Sequence, residues 1–323
     1  MPGLDPAGST ADTYRGFARI GVAGRSPAYE ELALAVADDP LVLGFLAELP
    51  RPKRQPNLLF GAARLLLHDV PTAAQLHDLV ADRGPELADV MLERRTQTNE
   101  PARCGTLLPA LCMLPQPLAL IEVGASAGLT LLPDLYSYDY DGHRVPGRDP
   151  AAPILACHVG GPVPLPRRGP DVVWRAGIDV APLDVRSDED MAWLSCLIWP
   201  GEDGRPERLE AAVAAARRHP PTIHRGDLVD DLPAVAAGAP ADATLVVYHS
   251  AVLAYVPLER RLAFGRAVAD LGAVWLSNEG TRVLPGVGPG REEGHFLLVR
   301  DGREVLAETD SHGTWLRWLA PSG

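Results

Sequence analysis

Lysine occurs once in these 323 residues, at Lys53, so a mechanism built on a Schiff base or a catalytic lysine is effectively excluded. Cysteine is almost as scarce. Cys104, Cys112, Cys157 and Cys196 lie far apart with no Cys-x-x-Cys pair, which suggests neither a disulfide framework nor a zinc knuckle; free thiols and no metal site are expected. No run of eighteen apolar residues is present, and the start, MPGLDPAGSTADTYRG, has neither the basic residues nor the apolar stretch of a signal peptide. The expectation is a soluble, cytoplasmic protein with no membrane partner. Basic charge is short too: 30 Lys and Arg against 42 Asp and Glu give −12. The basic pairs Arg51-Pro52-Lys53-Arg54, Arg167-Arg168, Arg217-Arg218 and Arg260-Arg261 are scattered, not gathered into a phosphate-binding stripe, so nucleic acid is not an expected partner.

What the chain does have is apolar material, 46% of it, enough for one large domain or two smaller ones. The organising stretch is residues 118–132. Leu118-Ala119-Leu120-Ile121-Glu122-Val123 is a short apolar run that contains one acid, and Gly124-Ala125-Ser126-Ala127-Gly128 follows, then helix formers. This predicts strand, tight glycine turn and brief helix, cut short by Pro133; the turn would let a ligand approach the backbone, and the helix N-terminus would favour an electron-rich group.

Residues 1–117 carry helical signals. Helices are predicted from Ser26-Pro27 to Asp38-Asp39-Pro40, from there through Leu46, over 58–68 with Asn57 as cap, over 72–81 and over 86–96. The polar segment Thr96-Gln97-Thr98-Asn99-Glu100-Pro101-Ala102-Arg103 then precedes the central strand. Asn99 could cap the next helix, or Gln97, Asn99, Glu100 or Arg103 could close over a cleft. After the glycine turn, residues 136–142 alternate with period two and are expected to pair with 154–160 as an inserted hairpin. The tyrosines there would form a half-buried strand face or the wall of a pocket. Strand and helix then alternate: strands at 171–178, 222–225, 243–248 and 273–277, helices at 188–198, 205–219 and 258–271, and a terminal hairpin at 294–300 and 304–309 about Asp301-Gly302. The fold class implied is α/β, a doubly wound, mostly parallel sheet with polar residues at its carboxyl ends.

Read as Glu-x-Gly-x-x-x-Gly, residues Glu122, Gly124 and Gly128 resemble the first motif of class I S-adenosylmethionine-dependent methyltransferases. Read as Gly-x-Ser-x-Gly, the same stretch resembles the nucleophile elbow of α/β-hydrolases, with Ser126 as nucleophile. Chain order favours the first, since no earlier strands support an elbow. The wider set of TQTNEPAR, EVGASAG, GIDVAPLDV, LIWPGE, RGD and VVYHSAVLAY resembles a bacterial family of uncharacterised proteins, named only as a domain of unknown function, that is similar to those methyltransferases in its glycine motif.

The helical signals and the polar segment that leads into the central strand imply an N-terminal helical lid region over 1–117, and the strand–helix alternation a Rossmann-like domain over 118–323 with an insertion at about 134–170. The resemblance implies a small-molecule methyltransferase whose S-adenosylmethionine would be held by Glu122, Gly124, Ala125, Ser126, Gly128, Asp179 (ribose) and Asp227 (adenine). His249 would be the base, with Ser250 and Tyr255 orienting the acceptor. The alternatives are a serine esterase in which Ser126 works with His312 or His295 and Glu279, and a non-catalytic scaffold. Three departures from the methyltransferase pattern stand out: the long gap between Glu122 and Asp179, Pro133, and a Gly/Pro loop over 281–294 where a helix is expected.

Overall fold

The computed structural model describes residues 9–288 and 294–319. The first eight residues, the start of the stretch without signal-peptide features, and residues 289–293 of the Gly/Pro loop lie outside the described residues. The chain forms two compact units, Met1–Thr98 with Ser187–Glu207, and Asn99–Arg186 with Arg208–Gly323. The division therefore falls at 98/99 and not at 117, and it splits the polar segment: Gln97 and Thr98 go with the helices, Asn99 onward with the sheet.

The helical unit begins with α1 (Thr10–Gly16), which runs into a π-helical turn (Phe17–Val22). Next come α2 (Pro27–Asp38), α3 (Pro40–Glu48), α4 (Pro56–Leu67) and α5 (Ala73–Glu93); α6 (Arg103–Cys112) belongs to the other unit, and α7 (Asp188–Cys196) returns to this one. Asp39 makes the break between α2 and α3, its carboxylate accepting from the N–H groups of Leu41 (2.9 Å) and Val42 (3.2 Å). Asn57 is not a cap: α4 starts before it, and its Oδ1 accepts from the indole N–H of Trp199 (3.0 Å). The two helices expected at 72–81 and 86–96 are both present within the span of α5, the first opened by a Thr72/Gln75 capping box and the two separated by the non-helical backbone of Arg83 (φ −131°, ψ 28°), where Pro85 cannot donate to the preceding turn.

Residues 187–207 join these helices for a local reason. Gly61 of α4 lets α7 come close; a Cβ there would stand 2.9 Å from Leu197 and 3.2 Å from Trp193. Around that contact Arg64 donates to the carbonyls of Cys196 (3.1 Å) and Ile198, Trp193 Nε1 to the carbonyl of Arg95 (3.0 Å), and Arg94 pairs with Glu189 and Asp190.

The second unit is built on a nine-stranded sheet. Its elements are β1 (Leu118–Val123), β2 (Ser137–Tyr140), β3 (His143–Val145), β4 (Ile154–Ala156), β5 (His158–Gly160), β6 (Val172–Asp179), α8 (Arg205–Arg218, which starts in the helical unit), β7 (Ile223–Arg225), α9 (Leu232–Ala236), β8 (Thr244–Ser250), α10 (Leu258–Asp270), β9 (Val274–Gly280), β10 (Phe296–Arg300), β11 (Glu304–Thr309) and β12 (Trp315–Trp318). The strands lie in the order β5-β12-β11-β10-β9-β8-β1-β6-β7. β7, β6, β1, β8 and β9 are parallel; β10, β11 and β12 follow antiparallel, and β5 runs parallel to β12. By order of appearance the parallel strands stand third, second, first, fourth, fifth. Strand order therefore reverses between β1 and β8, and open α/β sheets bind ligands beyond the carboxyl ends at such a reversal.

β1 reads as an almost unbroken apolar run because it is buried on both faces and flanked on both edges. On one face Ile121, Val123, Ile178 and Val247 share an apolar core with Leu232, Val235, Phe264 and Val268 of α9 and α10. On the other, the hydroxyls of Tyr136, Tyr138 and Tyr140 donate to the carbonyls of Leu129 (2.7 Å), Pro133 (2.6 Å) and Gly105 (2.7 Å). The inserted element differs from expectation in part: β2 forms its hairpin with β3, and its pairing with 154–160 is parallel and confined to 154–156. That stretch divides, β4 lying parallel to β2 and β5 leaving for the edge of the large sheet. The helix expected after the glycine turn is also absent, leaving a single 3₁₀ turn at Leu129–Leu131.

Gly61→Ala should lower stability by about 1–3 kcal/mol through overpacking, although alanine is the better helix former. Urea unfolding monitored at the Trp193 region gives the answer; an unchanged or raised midpoint would refute the close approach of α4 and α7.

Candidate functional site

The turn after β1 has no helix to use its N–H groups, so side chains and strand ends of the same unit use them. Gly124 and Ala125 donate to the carbonyl of Ile178 (2.8 and 3.2 Å), Ser126 to Asp179 Oδ2 (2.8 Å), Gly128 to the carbonyl of Ala125 (2.7 Å) and Leu129 to Asn99 Oδ1 (2.8 Å). Asn99 thus caps the glycine loop and not α6. Gly124 and Gly128 have φ of 69° and 73°, which accounts for glycine at both. Protein also fills the room beside them: a Cβ on Gly124 would lie 2.4 Å from Val252, and one on Gly128 2.6 Å from Pro221 and 2.8 Å from Ile223. No dipole-based anion site arises here, since no helix starts at the loop.

Polar atoms carry the functional signal instead. Glu122 is buried at the end of β1; its Oε1 accepts from the Thr130 hydroxyl, while Oε2 has no hydrogen-bond partner. Burial pushes its carboxyl up to about 8, with Asp179 adding to the rise and the Thr130 hydrogen bond and the charge of Arg103 opposing it. Thr130 in turn lies 3.4 Å from Asn99 Nδ2. Ser126 is also buried with its Oγ unpartnered, and its φ of 52° is left-handed; Ala251, after β8, has φ 60°. Two non-glycine residues in that region, one beyond each strand flanking the reversal, mark a strained site.

Asp179 ends β6 as expected. Each of its oxygens accepts one backbone N–H, from Ser126 and from Ala181 (2.7 Å), which leaves lone pairs on both. Asp227 is engaged elsewhere: it accepts from the N–H groups of Val229 (2.7 Å) and Asp230 (3.2 Å) and pairs with Arg260. His249 is fully buried on the face covered by α10, with Nδ1 2.7 Å from Glu279 Oε1 and Nε2 accepting from the Trp275 indole N–H (3.0 Å). Both ring nitrogens are thus engaged by protein groups. Glu279 Oε1 also takes the N–H groups of Val252 (2.7 Å) and Leu253 (2.9 Å), so the pair holds the loop after β8 in place.

Ser250 is oriented by its neighbours: its Oγ accepts from Asn278 Nδ2 (3.1 Å), Asn278 Oδ1 accepts from the Thr309 hydroxyl (2.7 Å), and its carbonyl accepts from Arg103 (3.1 Å). Tyr255 is 73% exposed. Glu100, beside Arg103, accepts from Ala102 N (3.1 Å) and pairs with Arg208 at 2.7 Å.

The hydrolase constellation is not assembled. Ser126 Oγ meets no histidine, Glu279 is committed to His249, and His295 packs edge-on against Trp315. Among the described residues no group of three His, Cys, Asp or Glu is placed to hold a metal ion, and no helix is long and apolar enough to cross a membrane. Sequence reasoning missed Thr130 and the loop-holding roles of Asn99 and Glu279; the one available signal was an acid, Glu122, followed within a turn by a hydroxyl residue.

Because the folded Glu122 keeps its proton up to about pH 8 and the unfolded chain loses it near 4.5, the folded state holds more protons between those values and stability falls as pH rises through that window. Glu122→Gln should therefore gain on the wild type across it, by on the order of 5 kcal/mol between pH 4.5 and pH 9, with no further change below pH 4.5. Denaturant unfolding at the two pH values checks this, and a pH-independent difference would contradict it.

The chain belongs to the family described as uncharacterized protein conserved in bacteria (DUF2332), which is matched over residues 11–318. No curated protein and no solved structure matches it.

Proposed function

We propose that this family member binds S-adenosylmethionine beyond the carboxyl ends of β1, β6 and β8 and transfers its methyl group to a small-molecule acceptor. The observation that carries the reading is the bare, buried Oε2 of Glu122 beside the strand-order reversal. A buried carboxyl oxygen without a partner is costly, and an ammonium group such as that of the cofactor's methionine part would satisfy it. Asp179 keeps acceptor capacity for two ribose hydroxyls, one on each oxygen. The loop Gly124-Ala125-Ser126-Ala127-Gly128 joins the two acids, so its tight course sets their spacing. Asp227 acts in its turn with Arg260, and adenine recognition falls to other groups.

When bound, the cofactor supplies an electrophilic methyl group, and the remaining task of the protein is alignment. Ser250, fixed by Asn278, and the exposed Tyr255 are the groups of this chain suited to orient an acceptor. His249 supports them from behind through Glu279 and the 252–253 backbone, a positioning role and not that of a base in contact with the acceptor.

Calorimetric titration with S-adenosylhomocysteine should give a dissociation constant in the micromolar range, roughly −8 kcal/mol, and Glu122→Gln should weaken it at least about tenfold. The absence of heat at millimolar ligand, with the chain folded, would remove the methyltransferase reading and leave the non-catalytic scaffold. A fluorophosphonate probe should leave Ser126 unlabelled in intact-mass and peptide spectra; stoichiometric labelling there would restore the esterase reading.

A further inference from the structure

Glu122 is connected through the side chain of Thr130 to Asn99, upstream of β1. Asn99, on the segment before α6, receives the Leu129 N–H on Oδ1 (2.8 Å), which fixes its amide so that Nδ2 is turned to Thr130 Oγ1 (3.4 Å). A hydroxyl that accepts from an amide has its own proton free for another partner, and that of Thr130 goes to Glu122 Oε1. Thr130 is held independently by its backbone, whose carbonyl takes the Tyr248 hydroxyl (2.9 Å) and the Cys104 thiol. The row is therefore polarised from the Asn99 end, with Glu122 Oε1 accepting from Thr130 when the carboxylate is ionised.

We propose that Asn99 and Thr130 are positioning residues for the ligand site: they commit Oε1 of Glu122 as a fixed acceptor and leave Oε2 for the ligand's ammonium. The ammonium as occupant rests on the S-adenosylmethionine reading; the row and its effect on Glu122 do not. The groups that face Glu122 are Arg103 and Cys104 from α6, Asp179 from β6, Tyr248 from β8 and Tyr136 after the glycine loop. Only Arg103 among them carries positive charge. Loss of the Thr130 donor therefore leaves the ionised carboxylate with markedly less support, and the proton stays on to higher pH.

The test uses the full chain and three variants, Thr130→Val, Thr130→Ser and Asn99→Asp. Valine keeps the shape without the hydroxyl, serine restores the hydroxyl, and aspartate keeps the acceptor for Leu129 N–H while removing the amide that orients Thr130. S-adenosylhomocysteine binding is measured by calorimetry between pH 6 and 9. In the wild type, affinity should rise with pH up to about 8, the value at which Glu122 loses its proton. Thr130→Val and Asn99→Asp should shift that midpoint upward by about one unit, weaken binding about tenfold at pH 6–7 and approach wild-type affinity at pH 9, while Thr130→Ser should restore the wild-type profile.

Weakening by the same factor at every pH, or a Thr130→Ser profile like that of valine, would assign the row a purely structural part and overturn the proposal. If the wild type binds no S-adenosylhomocysteine, the methyltransferase reading fails by itself. The row is then judged on ligand-free protein: the upper end of the pH window over which stability falls should move up by about one unit in Thr130→Val and Asn99→Asp, and an unmoved window would overturn it.

Discussion

The turn leaving β1 must satisfy its backbone without a helix, and much of the sheet unit follows from that constraint. β1 is buried on both faces, so the chain emerges from it into the interior, where an unpaired N–H costs about as much as a lost hydrogen bond. Asp179 from β6, Asn99 from the segment before α6 and the carbonyl of Ile178 meet those donors. Two parts of the chain remote in sequence, the end of β6 and the segment before α6, are thus tied to one short loop. The 57-residue interval from Glu122 to Asp179 is what that arrangement accommodates, because β2 to β5 are made within it while the end of β6 still returns to the loop.

The two faces of the sheet handle polarity differently. Toward α9 and α10 the surroundings are apolar and His249 is closed off by Glu279 and Trp275, giving a rigid support for the loop after β8, although the buried Ser277 Oγ and Glu279 Oε2 of β9 have no hydrogen-bond partner. Toward α6 the polar atoms are graded: the tyrosine hydroxyls, Asn278 and Thr309 are bonded, and Glu122 and Ser126 each keep one atom bare. A bare carboxyl oxygen in a low-dielectric site is tolerated when its charge or its partner arrives with a ligand.

Patterned segments are legible from the amino-acid sequence. The parallel strands and α10 fall close to their expected spans because continuous apolar runs and 3.6-residue periodicity report burial directly. The Asp301-Gly302 connection is legible for a similar reason, both residues taking the left-handed backbone that a right-twisting hairpin asks for. The short elements are not legible. β12, β5 and α9 are three to five residues long, and β5 and β12 exist only through pairing with each other and with β11. Asn57 and Asn99 look like caps, since an asparagine before an apolar run carries no mark of whether its amide serves its own helix or a distant indole or loop.

The sequence by itself determined the α/β class, the mostly parallel sheet, the glycine turn after β1 and the acids at the ends of β1 and β6, because burial period and backbone permissiveness are local properties. Tertiary structure alone decided which polar atoms are spent. It turned Asn99 to the glycine loop, Asp227 to Arg260 and His249 to Glu279 and Trp275, and it left one oxygen of Glu122 without a partner. Hydrogen-bond satisfaction is a sum over neighbours that the fold brings from far along the chain, so it cannot be read from any one stretch of it.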